Sequence, residues 1–181
     1  MAFRKVRTRI YLGVEGEGEQ SFIKFLQMLA DQNGLYAHLD CQVLGGGGYQ
    51  SMLKRALHYR TRKSKAKFSV LLVDGDRDQR NDDGWTLDQL RREAIRETLQ
   101  ICVQNPNQEG LLLRMLPGNE NLQPNVTMAH KQLFKQWPRY EKPIDARMLS
   151  LKFKLDDVLR VARVDSDLNN LLSIVGLLSY K

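Results

Sequence analysis

The chain has 181 residues, of which 42% are hydrophobic and 27% are charged, as in soluble globular proteins. This length fits one domain with a sizeable core, and no apolar run approaches the roughly 20 residues that a membrane-spanning helix needs. The N-terminal stretch MAFRKVRTRIYLG lacks the apolar segment of a signal peptide. These features exclude a membrane protein and predict a cytoplasmic one.

The 28 basic and 21 acidic residues leave a net charge of +7, and the basic residues are clustered. One cluster lies between residues 54 and 67 with no acid in it, and a second basic excess runs from residue 131 to residue 163. Such clusters are typical of proteins that bind phosphate-rich partners, but a solvated helix end and loop explains the first one equally well. The candidate nucleic-acid contacts in the first cluster are Lys54, Arg55, Arg60, Arg62, Lys63, Lys65 and Lys67.

The cysteines and histidines indicate neither a disulfide nor a zinc site. Cys41 and Cys102 both lie in apolar segments, which is typical of reduced thiols in a protein core. The three histidines (His38, His58 and His130) are scattered and do not have the spacing of zinc ligands.

Strand-like and helix-like segments alternate along the first part of the chain. RIYLGV predicts a first strand, and QSFIKFLQMLADQNG predicts a helix because its apolar residues repeat at helical spacing. HLDCQVL predicts a second strand, and the GGGG turn after it leads into a second helix that carries Met52 and Leu53. KFSVLLV is a short apolar run that a turn signal ends, which predicts a buried third strand.

The remaining segments predict one more strand and then only helices. Thr86 and Gln89 form a capping box that predicts a helix to about Glu97, and TLQICVQ predicts a fourth strand. Helices follow at LLLRML, at NVTMAHKQLFKQW, and around residues 155–164 and 168–177. The pattern predicts an α/β domain, with a largely parallel sheet of about four strands flanked by helices in residues 1–120. Residues 121–181 are expected to form a helical extension packed on the same domain.

Acidic residues follow two of the predicted strands, at their carboxyl ends. If the third strand continued, its aspartates would project to one side, where their charges would repel one another. Because sites in parallel α/β sheets form at the carboxyl ends of strands, neighbouring strands would bring both acidic groups into one crevice. Oxygen ligands without His or Cys suit Mg²⁺ or Mn²⁺, although a capped turn with surface acids is the plainer alternative. The acids are Glu15, Glu17 and Glu19 after the first strand, and Asp74, Asp76 and Asp78 after the third.

The order of these motifs resembles the Toprim pattern, in which a strand ending in a glutamate is followed by a helix and later by a strand ending in Asp-x-Asp. The two segments here are LGVEGEGEQSFIKFL and LLVDGDRD. The nearer resemblance is to the RloB-like subgroup, whose members are found beside restriction systems. It depends on VEGEGEQ, LGGGGYQ, DGDRD and QNPNQEGLLLRML in that order, with WPRYEKPID after them, and it spans residues 9 to about 142.

The resemblance implies a Toprim-like Rossmannoid fold and Mg²⁺- or Mn²⁺-dependent chemistry on phosphodiester bonds. It makes Glu15 the general acid and base and a possible metal ligand, and it assigns the metal mainly to the aspartates. Two registers stay open, Asp74 with Asp76 or Asp76 with Asp78. Like charges around Glu15 are expected to raise its pKa in the absence of metal, which suits proton transfer. Residues that could assist the site are Glu17, Glu19, Arg77 and Glu109.

Several of these residues have a second interpretation. Arg77 either contacts a substrate phosphate or neutralises the acids, and Glu109 either faces the crevice or caps the helix that contains LLLRML. The glycines at 45–48 form either a phosphate cradle or a flexible turn, and they lack the Lys-Ser/Thr ending of a nucleotide-binding loop. Tyr140 and Lys142 are implicated by the resemblance alone.

Three functions from different classes remain open. The first is a metal-dependent nuclease, acting on DNA or RNA in a restriction-linked or antiviral defence context. The second is a nucleic-acid-binding or regulatory subunit that depends on a partner such as an ATPase or a restriction component. The third is another phosphotransfer hydrolase, acting on small phosphate compounds. The acids of both strand ends together favour catalysis, while a topoisomerase or replicative primase would need further domains.

Overall fold

The structure is a computed structural model, and it describes residues 6–62, 66–77 and 83–179. Four parallel strands form one sheet in the order β2-β1-β3-β4, so the prediction of a parallel four-stranded sheet is confirmed. In the register of the sheet, Gly13 of β1 lies beside Gln42 of β2 and Leu71 of β3. All four carboxyl ends therefore lie at one edge of the sheet. The strands are β1 Thr8–Val14, β2 Ala37–Val43, β3 Phe68–Asp74 and β4 Gln100–Gln104.

Helices connect the strands and form the C-terminal part of the chain. The sequence prediction missed one of them, α6, which is seven residues long and buries only Leu149. Asp145 caps this helix by accepting a hydrogen bond from the Met148 N–H at 2.9 Å. The described helices are α1 Glu17–Gln32, α2 Tyr49–Arg62, α3 Leu87–Arg96, α4 Gln108–Met115, α5 Val126–Gln136, α6 Ala146–Lys152, α7 Leu155–Ala162 and α8 Ser166–Val175, followed by a 3₁₀ turn Leu177–Ser179.

The two faces of the sheet bury two separate hydrophobic clusters, because side chains alternate along each strand. On the first face, which we call the α1 face, Leu12 and Leu72 pack with α1 and with residues from α4 to α8. On the second face, the α2 face, Tyr11 and Leu71 pack with α2 and α3. Residues beyond position 120, such as Leu133, belong to the cluster of the α1 face. The C-terminal helices therefore share a core with the strands.

No helix in the described part of the chain combines the length and the apolar character needed to cross a membrane.

The predicted capping box at the start of α3 is present. The Thr86 hydroxyl accepts from the Gln89 N–H at 3.3 Å, and the Gln89 side chain accepts from the Thr86 N–H at 2.7 Å. Thr86→Ala removes one of these bonds and is expected to lower the free energy of unfolding by about 1 kcal/mol. Urea denaturation measures the change, with Ser173→Ala, an exposed substitution within α8, as the control. Equal effects of the two substitutions would contradict the capping role.

Candidate active site

The first acid of each motif, Glu15 in one and Asp74 in the other, lies at the end of a strand, and the two strands are neighbours, but these acids belong to different faces of the sheet. Glu15 directly follows β1, and Asp74 is the last residue of β3. Continued alternation from Tyr11 places Glu15 on the α2 face, whereas alternation from Leu72 places Asp74 on the α1 face. The strand ends therefore meet as expected, but these two carboxylates have different surroundings.

Glu15 is bound by Arg77, the arginine of the DGDRD motif. The Arg77 Nε donates to Glu15 Oε2 at 2.6 Å, and its Nη2 forms a second ion pair with Oε1. The Arg77 Nη1 also donates to the Gly47 carbonyl in the glycine turn before α2. Because only 4% of Arg77 is exposed, this contact is a partly buried charge pair. The structure shows Arg77 paired with an acid, and its contact with a substrate phosphate stays a prediction.

Asp74 lies in the like-charge environment that the sequence led us to expect around Glu15. The pKa of Asp74 is raised from its ordinary value of 3.8 to about 8. Burial is the largest cause, the carboxylates of Glu19, Asp76 and Glu109 add to it, and Lys142 lowers the pKa. Its Oδ1 atom is buried and accepts no hydrogen bond in the described part of the chain. The α1 face thus holds a partly buried carboxylate with an unused ligand atom.

Two backbone segments hold the acids around Asp74. Glu19 lies in the first turn of α1, where its Oε2 accepts from the Gly16 N–H at 2.9 Å. β3 ends at Asp74, so Asp76 lies in a turn and does not continue the strand alternation. The N–H of Asp76 donates to the Pro106 carbonyl at 2.8 Å, which ties this turn to the loop after β4. The NPN segment of that loop therefore positions the aspartate motif.

Glu109 faces the same crevice from the first turn of α4. Asn107 caps this helix by accepting from the Gly110 N–H at 3.1 Å, so Glu109 is not the capping residue. Glu109 is 2% exposed, and its Oε1 atom accepts from Lys142 Nζ at 2.6 Å and from the Tyr140 hydroxyl at 3.2 Å. Its Oε2 atom has no hydrogen-bond partner among the described residues.

Glu109 raises the pKa of both of its partners from WPRYEKPID, which keeps Tyr140 neutral and Lys142 positively charged. Burial, and then the Glu109 carboxylate, raise the pKa of the Tyr140 hydroxyl, so Tyr140 acts as a neutral hydrogen-bond donor. Partial burial lowers the pKa of Lys142. The hydrogen bond with Glu109 and the charges of the nearby carboxylates together outweigh burial, so the pKa is raised. The Lys142 side chain is 66% exposed, so it carries a positive charge at the rim of the crevice.

Sequence reasoning missed Gln104, which lies beside Asp74 in the register of β3 and β4. Gln104 is 2% exposed, and both its Nε2 and its Oε1 atoms lack hydrogen-bond partners in the part that the structure describes. Buried amides are rarely left unpaired, because each lost hydrogen bond has a desolvation cost. Its position as the last residue of a predicted strand was the only available signal.

The described residues of the first basic cluster do not surround this crevice as a group. Four of these residues lie within α2, which runs from the carboxyl edge of the sheet toward the amino edge over about 20 Å. Lys67 lies immediately before β3, at the amino edge. Arg60 donates to the Glu97 carbonyl at 2.6 Å, while Lys54, Arg62 and Lys67 are exposed. Lys63, Lys65 and Asp78 lie outside the described residues, and Glu17 is exposed in the first turn of α1.

Within residues 6–62, 66–77 and 83–179, no three or more His, Cys, Asp or Glu side chains are already arranged as a metal-binding group. The chemistry of the crevice nevertheless suits a hard cation. The unpartnered Asp74 Oδ1, Glu109 Oε2 and Gln104 Oε1 atoms are all oxygens, the ligand type that Mg²⁺ and Mn²⁺ prefer.

Gly110 lets α4 pack closely against the loop that holds the aspartate turn. A Cβ atom at this position would collide with the Pro106 ring and would also lie 2.9 Å from the Asn105 carbonyl oxygen. Gly110→Ala is therefore expected to lower the free energy of unfolding by about 1–3 kcal/mol. Gly46→Ala is the control, because its Cβ would meet no atom within 4 Å. Thermal unfolding measures both, and a Gly110→Ala protein as stable as the control would contradict the close approach.

Comparison with known proteins gives no match to a family model, a curated protein or a solved structure.

Proposed function

We propose that the protein hydrolyses phosphodiester bonds in nucleic acid with the help of Mg²⁺ or Mn²⁺, as a Toprim-like nuclease. The observation that carries this proposal is the group of buried, unpartnered oxygens on Asp74, Glu109 and Gln104 at the carboxyl edge of a parallel sheet. Such an edge is where sites in this fold class form. The resemblance to the RloB-like subgroup supports a restriction-linked or defence role.

The crevice supports a cation held by Asp74 and Glu109, with Asp76 and Gln104 beside them. This favours the register of Asp74 with Asp76. A divalent cation bound there would polarise the substrate phosphate and offset the charge that develops on it. Burial first, and then the neighbouring carboxylates, raise the pKa of Asp74 in the absence of cation, and a bound positive charge would offset both effects.

Lys142 and Glu15 have separate roles in this proposal. Lys142, fixed by Glu109 and exposed for two-thirds of its side chain, binds a phosphate oxygen of the substrate at the rim. Glu15 transfers the proton only if one of its oxygens leaves Arg77, because both are engaged in the structure. The Glu15–Arg77 pair otherwise positions the glycine turn and the aspartate turn relative to each other.

Incubation of the pure protein with single- and double-stranded DNA and RNA, with Mg²⁺, with Mn²⁺ and with EDTA, tests the proposal. Cleavage is expected with either cation and not with EDTA. Asp76→Ala and Asp74→Asn are expected to lose at least about a hundredfold in rate, while Glu17→Gln, an exposed change in α1, retains the activity. Cleavage that survives both aspartate substitutions would reject this site, and tight binding without cleavage would favour the regulatory-subunit alternative.

A further inference from the structure

A second concave site adjoins the crevice on the outer side of Glu109. It is a pocket of about 320 Å³ between α4, the start of α5 and the segment that contains Lys142. Its size lies at the lower end of the range of about 300–1,000 Å³ for small-molecule sites. The lining residues that matter here are Glu109, Val126, Thr127, His130, Lys131 and Lys142.

The wall of this pocket formed by α5 is suited to an anion. His130 and Lys131 are exposed side chains of this helix, and Lys131 begins the second basic segment of the sequence. Asn125 caps α5 by accepting from the Met128 N–H at 2.9 Å. The N–H groups of the first helical turn have no acceptor within the helix, and the helix dipole adds positive potential there. An anionic group at Thr127 and Lys131 would be stabilised by these N–H groups and by the helix dipole.

The floor of the pocket is suited to a hydrogen-bond donor. Glu109 is nine-tenths or more buried and lines the pocket, and its Oε2 atom accepts no hydrogen bond in the described part of the chain. A buried acceptor without a partner destabilises the folded protein, and a ligand that donates a hydrogen bond to it would remove this cost. A suitable ligand therefore combines an anionic group with a neutral donor a few ångströms away.

We propose that this pocket binds one nucleotide unit of the nucleic-acid substrate, next to the bond that is cleaved. The phosphate of that unit lies against His130, Lys131 and the first turn of α5. A sugar hydroxyl or base N–H donates to the lone pair of Glu109 Oε2 that does not face the cation. The inference rests on the proposed function, because Glu109 is shared between the pocket and the carboxylates around Asp74. It moves substrate binding from the Lys54–Lys67 cluster to α5.

Binding of short fluorescein-labelled DNA and RNA oligonucleotides, measured by anisotropy in EDTA so that no hydrolysis occurs, tests the pocket. Lys131→Glu is expected to weaken binding by about tenfold, or about 1.4 kcal/mol. Lys135→Glu is the matched control, because it makes the same charge change one turn further along α5 and does not line the pocket. The control is expected to change binding by no more than about twofold. Equal effects of the two substitutions, or no effect of either, would overturn the proposal.

Competition with small ligands tests the nature of the bound group. A nucleoside monophosphate should displace the oligonucleotide at lower concentration than inorganic phosphate or the unphosphorylated nucleoside, and Lys131→Glu should remove that advantage. Inorganic phosphate competing as well as the nucleotide would overturn the nucleotide assignment. If Lys131→Glu alone weakens binding but the wild type cleaves nothing, the nuclease proposal is rejected and the pocket is retained. If the wild type cleaves nucleic acid but Lys131→Glu and Lys135→Glu weaken binding equally, the pocket is rejected and the nuclease proposal is retained.

Discussion

Asp74→Asn is expected to raise the melting temperature of the metal-free protein at pH 7 and to leave it nearly unchanged at pH 4. Burial and the carboxylates of Glu19, Asp76 and Glu109 raise the pKa of Asp74 from 3.8 to about 8. Between these two pH values the folded protein keeps a proton that the unfolded chain has released. The free energy of unfolding therefore falls as the pH rises, by at most about 1.4 kcal/mol for each pH unit, and the loss is complete above pH 8.

The difference between the wild type and Asp74→Asn isolates this effect from the other titrating groups. Thermal unfolding in EDTA at a series of pH values is the measurement, and the stability advantage of Asp74→Asn should grow with pH up to about 8. Asp88→Asn, an exposed carboxylate change in the first turn of α3, should show no such growth. If Asp74→Asn were less stable than the wild type at pH 7, Asp74 would be a satisfied structural carboxylate.

Arg77→Met is expected to lower the free energy of unfolding by about 3 kcal/mol, because it leaves the partly buried Glu15 carboxylate without its counter-charge. The Glu15 carboxylate would lose both contacts with the guanidinium, and the Gly47 carbonyl would lose its donor. Glu15→Gln should cost less, since its carboxamide oxygen still accepts a hydrogen bond from Arg77.

Urea denaturation of the two single variants and of the double variant Glu15→Gln/Arg77→Met measures this coupling. The double variant should be more stable than the sum of the single effects predicts, by about 1 kcal/mol or more. Arg62→Met, which changes an exposed arginine at the end of α2, is the control and should alter stability by less than about 0.5 kcal/mol. Strictly additive effects would contradict a direct Glu15–Arg77 interaction.

The fold was largely predictable, because each strand and most helices carry a clear hydrophobic period. The four strand segments and the capping box at Thr86 follow local rules that the structure obeys. α6 was missed because it has two turns and buries a single leucine, Leu149, which is too little to define a helical period.

The site was predictable in position but not in arrangement. Parallel strands bring their carboxyl ends together, and this placed the acidic motifs at one edge. Which side chains contact one another at that edge depends on the face of the sheet that each one takes. Glu15 lies with Arg77 on one face, and Asp74 lies with Glu19 and Glu109 on the other. Gln104 joins the crevice through the pairing of β3 with β4, and Lys142 joins it through its ion pair with Glu109. No local pattern specifies either contact.

Calorimetric titration of Mn²⁺ into the EDTA-free protein, without substrate, tests most directly whether the carboxylates around Asp74 hold a divalent cation. Saturable binding is expected for the wild type and for Glu17→Gln, and Asp74→Asn should weaken it by at least about tenfold. Equal affinity in the wild type and in Asp74→Asn, or no binding in either, would show that this group of acids is not a cation site.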